Sequence, residues 1–252
     1  MSQGSILIFT ATYNEIGNIE RFCSEIFKIP DFDLKLLVID DNSPDGTGKI
    51  LDKIAARDNR LHVIHRPKKM GVGSAHKEAI AWAYQNGFNT LVTMDADFTH
   101  NPKFIPKLLE AGKQADIAIT SRHRNDESLE NWSIFRKLMT KGGYLLTKLL
   151  LNLPYDATGS FRCYNLKNIN ENIFSLIRGE KYSFFFESLL LLHHHEYSIN
   201  EIPIVLPSRA AGSSKMTVKD VVNSILWIVS LSFRRLSWKR NKVLMRGKAV
   251  GN

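Results

Sequence analysis

The sequence predicts an α/β protein with a mainly parallel sheet covered by helices. Through the first half of the chain, short apolar runs rich in β-branched residues alternate with segments of helical periodicity. The connecting loops are short, and such alternation is typical of parallel strands joined by right-handed helical crossovers. At 252 residues, with 44% hydrophobic and 23% charged residues, the chain fits one folded unit, and neither repeats nor a linker interrupt it.

Strands and helices are predicted in strict alternation along this first half. The strands are the apolar runs at residues 5–10, 34–39, 61–65, 90–94 and 116–120. The helices have apolar residues on one face and lie at residues 18–29, 47–57, 71–86 and 102–112. Asn18 stands at an N-cap position of the first helix, while Pro102 and Gly112 suit the start and the end of the fourth.

The second half of the chain is less regular. Residues 132–151 predict a long amphipathic helix, residues 160–164 a strand and residues 183–192 a very apolar helix. Residues 197–205 are typical of an edge strand, because Pro203 cannot donate to an internal ladder. Glu187 lies in the apolar helix, and since a buried acid needs a partner, we expect it to pair with a cation that binds phosphate.

The charge of the chain is concentrated at its C-terminal end. The chain has 34 Lys and Arg against 25 Asp and Glu, a formal net charge of +9. Residues 221–252 contain seven Lys or Arg and no acid, and 9 − 7 leaves +2 for the first 220 residues. A basic tail of this kind suits nucleic acid, a membrane surface or simple solubility.

Cysteine usage and the N-terminus indicate a compartment. Cys23 and Cys163 lack the spacing of a metal or redox motif, so we expect structural thiols in a reducing environment. The chain starts with Met1-Ser2-Gln3-Gly4 and no basic leader. We therefore expect no signal peptide and a cytoplasmic location.

Two carboxylates one residue apart, Asp95 and Asp97, follow the predicted strand at residues 90–94. Ligands of open α/β sheets bind beyond the carboxyl ends of the strands, where this pair emerges. Hard divalent cations are often held by one or two carboxylates while substrate phosphates complete the shell. The pair indicates a metal-bound diphosphate, and its alternative is an ordinary solvated turn.

Polar clusters follow four of the predicted strands. They are Thr12 to Glu15, Asp40 with Asp41 and Asp45, Asp95 with Asp97, and Ser121 with Arg122. Each alone fits a solvated loop, but the carboxyl ends of parallel strands meet at one edge, where we expect all four. Carboxylates accept hydrogen bonds from a base and a ribose, and an aromatic ring stacks on a base. This edge therefore predicts nucleotide binding.

These clusters and one later segment carry a family resemblance. The segments are Thr12-Tyr13-Asn14-Glu15, Asp40-Asp41-Asn42-Ser43-Pro44-Asp45-Gly46-Thr47, Asp95-Ala96-Asp97-Phe98-Thr99-His100-Asn101-Pro102 and Thr158-Gly159-Ser160-Phe161-Arg162. From about Ser5 to about Lys215, the chain resembles family 2 glycosyltransferases and, more narrowly, dolichyl-phosphate or polyprenyl-phosphate mannosyltransferases. The resemblance implies a GT-A fold over residues 1–216, a Rossmann-like sheet that binds a sugar nucleotide and Mg²⁺ or Mn²⁺. It also implies metal-dependent, inverting transfer of mannose from GDP-mannose to a dolichyl or polyprenyl phosphate.

The resemblance assigns roles by position. The residues expected at the nucleotide sugar are Tyr13, Glu15, Ile39, Asp40, Asp41, Asp95, Ala96 and Asp97. The expected metal ligands are Asp95 and Asp97. The expected catalytic residues are Asp97 and the cations around the phosphates, Arg122, Arg136, Arg209 and Lys215. Arginine suits bidentate phosphate contacts and lysine a point-charge contact.

Two alternatives to GDP-mannose chemistry stay open. The first keeps the reaction and changes the donor, for instance to UDP-glucose. The second is a non-catalytic basic protein that binds a membrane or nucleic acid, which explains the tail and leaves the polar clusters without a role. On the leading hypothesis the substrates are a nucleotide sugar and a lipid phosphate, and nucleic acid is not a partner.

A lipid phosphate is met at a membrane surface, and residues 220–233 supply an apolar stretch for that contact. The stretch is too short to span a bilayer, which needs about 20 residues. It suits a helix in the interface, with Trp227 at headgroup depth and the basic tail against anionic lipid. We expect residues 217–252 to form this helix and tail, on the cytosolic face of a membrane, with a membrane subunit as a further candidate partner. The alternative is a core-packing helix with a basic tail.

Overall fold

The computed structural model describes residues 5–30, 32–124, 134–206 and 217–238. Its centre is a sheet of strands β1 (Ile6–Thr12), β2 (Leu34–Asp40), β3 (Leu61–His65), β4 (Thr90–Thr93), β5 (Ile117–Ser121), β6 (Arg162–Asn165) and β7 (Ile199–Pro203). The seven strands lie in the order β3-β2-β1-β4-β6-β5-β7. β7 is at the edge of the sheet and ends at Pro203, so the predicted edge strand is confirmed.

The directions of the strands decide where the loops lie. β1 pairs in parallel with β2 and β4, and β3 pairs in parallel with β2. β6 is antiparallel to both β4 and β5, so β5 points the same way as β4. The carboxyl ends of β1, β2, β4 and β5 therefore lie at one edge of the sheet, as the sequence predicted. We call this edge, with residues 13–15, 41–45, 94–100 and 122–123, the carboxyl edge.

Helices cover both faces of the sheet. Those in the described part of the chain are α1 (Ile19–Phe27), α2 (Thr47–Ala55), α3 (Val72–Gln85), α4 (Ile105–Lys113), α5 (Ile134–Leu151), α6 (Asn172–Ser175), α7 (Ser183–His194) and α8 (Val218–Trp238). Leu7 and Phe9 face the core shared with α3 and α7, whereas Ile6 and Ile8 face the core shared with α1 and α4. Because both faces are covered, the inner strands are apolar at nearly every position.

The predicted α/β class is confirmed, and the predicted strands and helices are present with bounds shifted by a few residues. The helix expected from Pro102 begins as a separate 3-10 turn, Pro102–Phe104, because Pro106 has no N–H to continue the helical bonds. Asn18 does precede α1, but its side chain donates to Glu15 Oε2 at 2.8 Å and does not cap the helix. α6 was not predicted, since four residues are too few to show a period.

The last helix, α8, packs against both α5 and α7. Its Ile228 and Leu231 are buried in the core, whereas Leu226 and Phe233 are 62% and 68% exposed. One side of the helix therefore packs as a core helix and another points outward, so each interpretation of this segment describes one side. Among the described ranges, no helix combines the length and the apolar character that a membrane crossing needs.

Candidate active site

The loops after β1 and β2 are fixed to each other by Asp40. Its buried carboxylate accepts hydrogen bonds from Thr12 Oγ1 at 2.9 Å, from Ser43 N at 3.0 Å and from Ser43 Oγ at 2.5 Å. Ser43 Oγ in turn accepts from Asn14 N at 2.9 Å. Asp40 thus spends its oxygens within the protein, and its contribution is to hold both loops in register.

A second set of bonds joins the same two loops nearer the surface. Asp45 accepts from Thr47 Oγ1 at 2.6 Å, from Thr47 N at 3.0 Å and from Ile16 N at 3.0 Å. Burial raises the pKa of Asp45, but the hydrogen bonds from Thr47 and Ile16 outweigh it and lower that pKa below the ordinary value. Thr47 Oγ1 also accepts from Glu15 N at 3.0 Å, which fixes the backbone of Glu15.

Asp41 is buried at the start of the second loop and is held by residues 66–71, which we call the glycine turn. Its Oδ2 accepts from Gly71 N at 3.1 Å and from Met70 N at 3.3 Å. Its Oδ1 lies 2.9 Å from Arg66 Nε, yet it receives no aligned hydrogen bond from the described part of the chain. A buried oxygen in this condition suits a donor group of a ligand, such as a ribose hydroxyl or a base N–H.

Tyr13 lies half-buried in the loop after β1. Lys69 Nζ, from the glycine turn, is 4.1 Å from the centroid of its ring. A cation is attracted to the face of an aromatic ring, so this contact draws the first loop and the glycine turn together. Tyr13 and Asp41 therefore border the same part of the carboxyl edge.

The loop after β4 presents Asp95 and Asp97 in fixed orientations. Ser160 Oγ donates to Asp95 Oδ1 at 3.0 Å, and His100 Nδ1 accepts from Asp95 N at 3.0 Å, which makes Nδ1 the unprotonated ring nitrogen. Thr99 donates to Asp97 Oδ1 through its N at 3.1 Å and its Oγ1 at 2.6 Å. The side chain of Asp95 is 42% exposed, whereas Asp97 is 6% exposed. The two acids therefore face a boundary between protein and solvent.

Left-handed backbone occurs in three loops of the carboxyl edge. Asn14, Asn42 and Phe98 have φ of 58°, 58° and 59°. Asparagine tolerates this conformation, but a bulky aromatic residue adopts it at a cost of about 1–3 kcal/mol. The surrounding hydrogen bonds hold the loops in this conformation, and such strain is typical of functional sites.

Arg122, after β5, is fixed by Asp156. Its N and Nε donate to Asp156 Oδ2 at 3.1 and 2.8 Å, and its Nη2 donates to Asp156 Oδ1 at 2.7 Å and to Thr158 Oγ1. Burial alone raises the pKa of Asp156, but the charge and hydrogen bonds of Arg122 hold it far below its ordinary value. The ionised carboxylate therefore fixes a guanidinium that stays 15% exposed at the carboxyl edge.

The same loop contacts α5 through His123. The ring of His123 stacks on Tyr144 with centroids 4.2 Å apart. Burial lowers the pKa of His123, which keeps the ring neutral at physiological pH. The helix that carries Arg136 is thereby packed against the loop that carries Arg122.

The structure brings some of the predicted site residues together and leaves others apart. Seven lie at or beside the carboxyl edge, namely Tyr13, Glu15, Asp40, Asp41, Asp95, Asp97 and Arg122. The side chains of Ile39 and Ala96 are 0% and 3% exposed and serve the core, so a ligand meets their backbone. Arg136 lies in α5, and Arg209 and Lys215 lie outside the described residues.

Several residues of this edge were not predicted. Arg66 directly follows β3, so the rule used for the other four strands would have found it. Thr99 and Ser160 stand inside quoted motifs, but neither residue type shows that it orients a carboxylate. Asp156 lies 34 residues after its partner in a turn with no distinguishing pattern.

The predicted partner of Glu187 was wrong. Glu187 is fully buried and accepts from Gly179 N at 2.7 Å, from Trp227 Nε1 at 3.1 Å and from Arg234 Nη1 at 3.5 Å. Both side-chain partners belong to α8, which packs over the apolar helix α7. The indole N–H of Trp227 is therefore turned toward the interior, where headgroup depth was expected.

The sheet order and the acids at its carboxyl edge define the class: an α/β protein of the GT-A type. Glucosyl-3-phosphoglycerate synthase from Mycobacterium tuberculosis, crystallised with Mn²⁺, UDP and glucosyl-3-phosphoglycerate, matches with a TM-score of 0.63 and 16% identity over 93% of this chain and 81% of that chain. The same enzyme crystallised with Mg²⁺ and UDP matches with a TM-score of 0.61 and 14% identity over 93% and 80%. At these identities the likeness concerns the fold.

The chain belongs to glycosyl transferase family 2, whose model matches residues 7–174, and it is a glycosyltransferase. It is 34% identical over 228 residues to a protein of Micrococcus luteus named undecaprenyl-phosphate mannosyltransferase, covering 88% of this chain and 93% of the relative. It is 30% identical over 238 residues to the polyprenol monophosphomannose synthase of Mycolicibacterium smegmatis, covering 90% and 87%.

Proposed function

We propose that this glycosyltransferase transfers mannose from GDP-mannose to a dolichyl or polyprenyl phosphate and inverts the anomeric carbon. One observation carries the proposal: loops from four strands bring acids, Tyr13 and Arg122 to a single edge, in a chain whose relatives are named for mannose transfer to lipid phosphates. Acids with an aromatic ring suit a nucleoside, and a fixed guanidinium suits a phosphate.

The guanosine of the donor would lie between Tyr13, Glu15 and Asp41. The Oδ1 atom of Asp41 has an ion pair with Arg66 and no aligned hydrogen bond within the described residues, so it can accept from the nucleoside. Asp40 makes its bonds to Thr12 and Ser43 and fixes the two loops that border the nucleoside.

Asp95 and Asp97 fit a Mg²⁺ or Mn²⁺ ion. Carboxylate oxygens are the hard donors that these ions prefer, and bonds from Ser160 and Thr99 orient both groups. Within the described ranges, no group of three or more His, Cys, Asp and Glu side chains is arranged to hold a metal. Ions of this kind are commonly bound by one or two carboxylates together with substrate phosphates. When bound, the ion would stabilise the negative charge that develops on the leaving GDP.

The acceptor phosphate is ionised near neutral pH, so no residue has to deprotonate it. Arg122, held by Asp156, would bind one of the two anionic partners, and Arg136, Arg209 and Lys215 are proposed to share this task. Holding two anions in line against their repulsion contributes on the order of 7–11 kcal/mol in favourable cases. Direct displacement on the donor side inverts the anomeric centre.

The lipid would be met through two neighbouring helices. We call their exposed apolar side chains the α5–α8 face: Ile134, Leu138, Leu145, Leu149, Val222, Leu226, Val229 and Phe233. On each helix these residues recur at intervals of three, four or seven, so they form one stripe per helix. We propose that this face lies in the interface of the cytosolic leaflet, with residues 1–216 as the catalytic unit and residues 217–252 as the anchor.

The donor is identified by thermal shift, and the reaction by lipid extraction. We expect GDP and GDP-mannose with Mn²⁺ or Mg²⁺ to raise the melting temperature more than UDP and UDP-glucose do. Radiolabelled mannose should then appear in the organic phase when a polyprenyl phosphate is supplied. Stabilisation by UDP and UDP-glucose alone would replace the donor, and transfer to a water-soluble acceptor alone would overturn the lipid assignment.

A further inference from the structure

Glu187 connects α8 with the short segment of residues 179–181 that precedes α7. Its Oε2 accepts from both Gly179 N and Trp227 Nε1, so one oxygen joins the segment to the helix. Gly179 has no spare room, because a Cβ there would lie 2.6 Å from Ser183 Oγ and 2.8 Å from Phe184 N. A displacement of Trp227 therefore moves either the carboxylate or the segment.

The other side of this segment packs directly on the glycine turn and the start of α3. Ser74 N donates to the carbonyl oxygen of Glu180 at 2.9 Å. A Cβ on Gly71 would lie 2.9 Å from that oxygen, and one on Gly73 would overlap the carbonyl oxygen of Lys181. Backbone therefore meets backbone with no flexible side chain between them, and this interface transmits small shifts.

The glycine turn ends on the proposed donor pocket, because Gly71 N and Met70 N both donate to Asp41. A second connection runs from the N-terminus of α8, where Asp220 Oδ1 is 3.1 Å from Lys181 Nζ. Burial raises the pKa of Asp220, but bonds from Thr217 and Lys181 lower it below the ordinary value, so the pair is charged at neutral pH. Two points on α8 thus reach the same segment.

We propose that Glu187 is a positioning residue that couples α8 to the nucleotide pocket, so that docking of α8 on a lipid surface tightens donor binding. Docking restrains α8, and through Trp227 and Glu187 it restrains residues 179–181, the glycine turn and Asp41. The inference rests on the proposed function, which places the nucleotide at Asp41 and α8 at the membrane. By linkage, the nucleotide must tighten binding to the lipid surface by the same factor.

The test compares GDP binding in the presence of Mn²⁺ with and without vesicles of phosphatidylglycerol and phosphatidylcholine, on the full chain. For the wild type, we expect vesicles to lower the Kd of GDP by on the order of 5-fold, and GDP with Mn²⁺ to strengthen vesicle flotation by the same factor. Trp227→Phe keeps the ring and removes the N–H that reaches Glu187. We expect this variant to bind GDP and to float with vesicles, while its Kd for GDP no longer changes with them.

Glu187→Gln and Ser232→Ala complete the comparison. Glu187→Gln keeps an acceptor for Gly179 and Trp227 but removes the charge near Arg234, so we expect a reduced response to vesicles between those of the wild type and Trp227→Phe. Ser232 bonds only to Val229 O in the printed contacts of α8, and Ser232→Ala should respond as the wild type does. A merely structural role would lower the melting temperature and leave the response to vesicles unchanged.

The outcomes separate this inference from the proposed function. Wild-type protein that binds GDP equally with and without vesicles, while it floats with them, overturns the coupling alone. A Trp227→Phe variant with the full wild-type response also overturns it. Wild-type protein that binds neither GDP nor UDP with Mn²⁺ overturns the proposed nucleotide pocket, and the coupling with it.

Discussion

The carboxyl edge and the α5–α8 face are built on opposite principles. At the carboxyl edge, polar side chains are buried and bonded to each other: Asp40 alone accepts three hydrogen bonds, and Asp156 holds Arg122 through three. On the α5–α8 face, apolar side chains are exposed, with Leu149 at 69% and Phe233 at 68%. The first arrangement fixes geometry, and the second leaves surface to be covered by something else.

The contrast shows how this fold divides its tasks. Phosphoryl and glycosyl chemistry needs groups held in place before the substrate arrives, and hydrogen-bonded loops at the ends of strands provide that. A lipid surface needs area and no fixed geometry, and helices with an apolar stripe provide that. The predictions that follow test the fixed edge first and the open face afterwards.

The largest expected effect breaks the fixed edge at its most buried ion pair. Asp156→Asn removes the charge that Arg122 needs, and breaking one partner of a buried pair costs about 3–5 kcal/mol of unfolding free energy. The folded pKa of Asp156 lies below the unfolded value of about 3.9, so its stabilisation is present above that value and is lost as the pH falls through and below it. Urea unfolding from neutral pH to about pH 3 should show an acid-dependent loss in the wild type that Asp156→Asn lacks.

Equal acid dependence of the two proteins would show that Asp156 does not hold Arg122 in the way described. Transfer rates give an independent reading, because a misplaced guanidinium should lower kcat more than it raises KM for the donor. The same ratio is not expected of a variant that is only less stable.

The next prediction removes the charge of a carboxylate at the edge without removing its shape. Asp97→Asn keeps an oxygen that accepts from Thr99, so we expect a fold of wild-type melting temperature. Loss of one electrostatic contact to the developing charge typically lowers kcat by on the order of 100- to 1,000-fold. Initial rates over a range of Mn²⁺ concentrations measure this loss.

The matched control for Asp97→Asn is Asp116→Asn. Asp116 lies just before β5, at the opposite end of the strand from Arg122, and it bonds to Ser198 and Asn168. It should keep the wild-type dependence on Mn²⁺. Full activity of Asp97→Asn would remove Asp97 from the metal site.

The sequence predicted the fixed edge better than the open face, and the reason is physical. A strand followed by a polar cluster is a local pattern, so Asp41, Asp95 and Arg122 were placed at the correct edge from periodicity alone. Their holders, Arg66 and Asp156, come from other strands and turns, and contacts of that range leave no local pattern. Glu187 shows the same limit: its burial was predicted, but its partners lie 40 and 47 residues further along the chain.

The open face is broken by charge. Leu226→Glu with Phe233→Glu replaces two outward-facing apolar side chains, each worth about 1.5–3 kcal/mol when fully buried. We expect vesicle affinity to fall by at least about 10-fold per position, while GDP binding without vesicles is unchanged. Val205→Glu, at an apolar position 51% exposed after β7, is the control and should float as the wild type does. Undiminished flotation of the double variant would show that α8 is not the docking surface.

The smallest expected effect concerns the apolar interior beneath the fixed edge. His76 on α3 is buried between Phe9, Phe184 and Phe185, with ring centroids 4.9 to 5.1 Å away. Burial, with a smaller effect of the Arg162 charge, lowers the pKa of His76 to about 3, whereas an unfolded histidine titrates near 6.5. Below about pH 6.5 the unfolded chain therefore binds a proton that the folded chain refuses, and stability falls as the pH falls.

This term approaches about 1.4 kcal/mol per pH unit between roughly pH 6 and pH 4. His76→Leu removes the titrating group, and His76 Nδ1 has no hydrogen bond within the described residues, so the change costs little at neutral pH. The unfolding free energy of the variant should overtake that of the wild type as the pH falls from 7 toward 5. Parallel curves for the two proteins would mean that water or a charge reaches this interior, and that the fixed edge does not stand on a dry core.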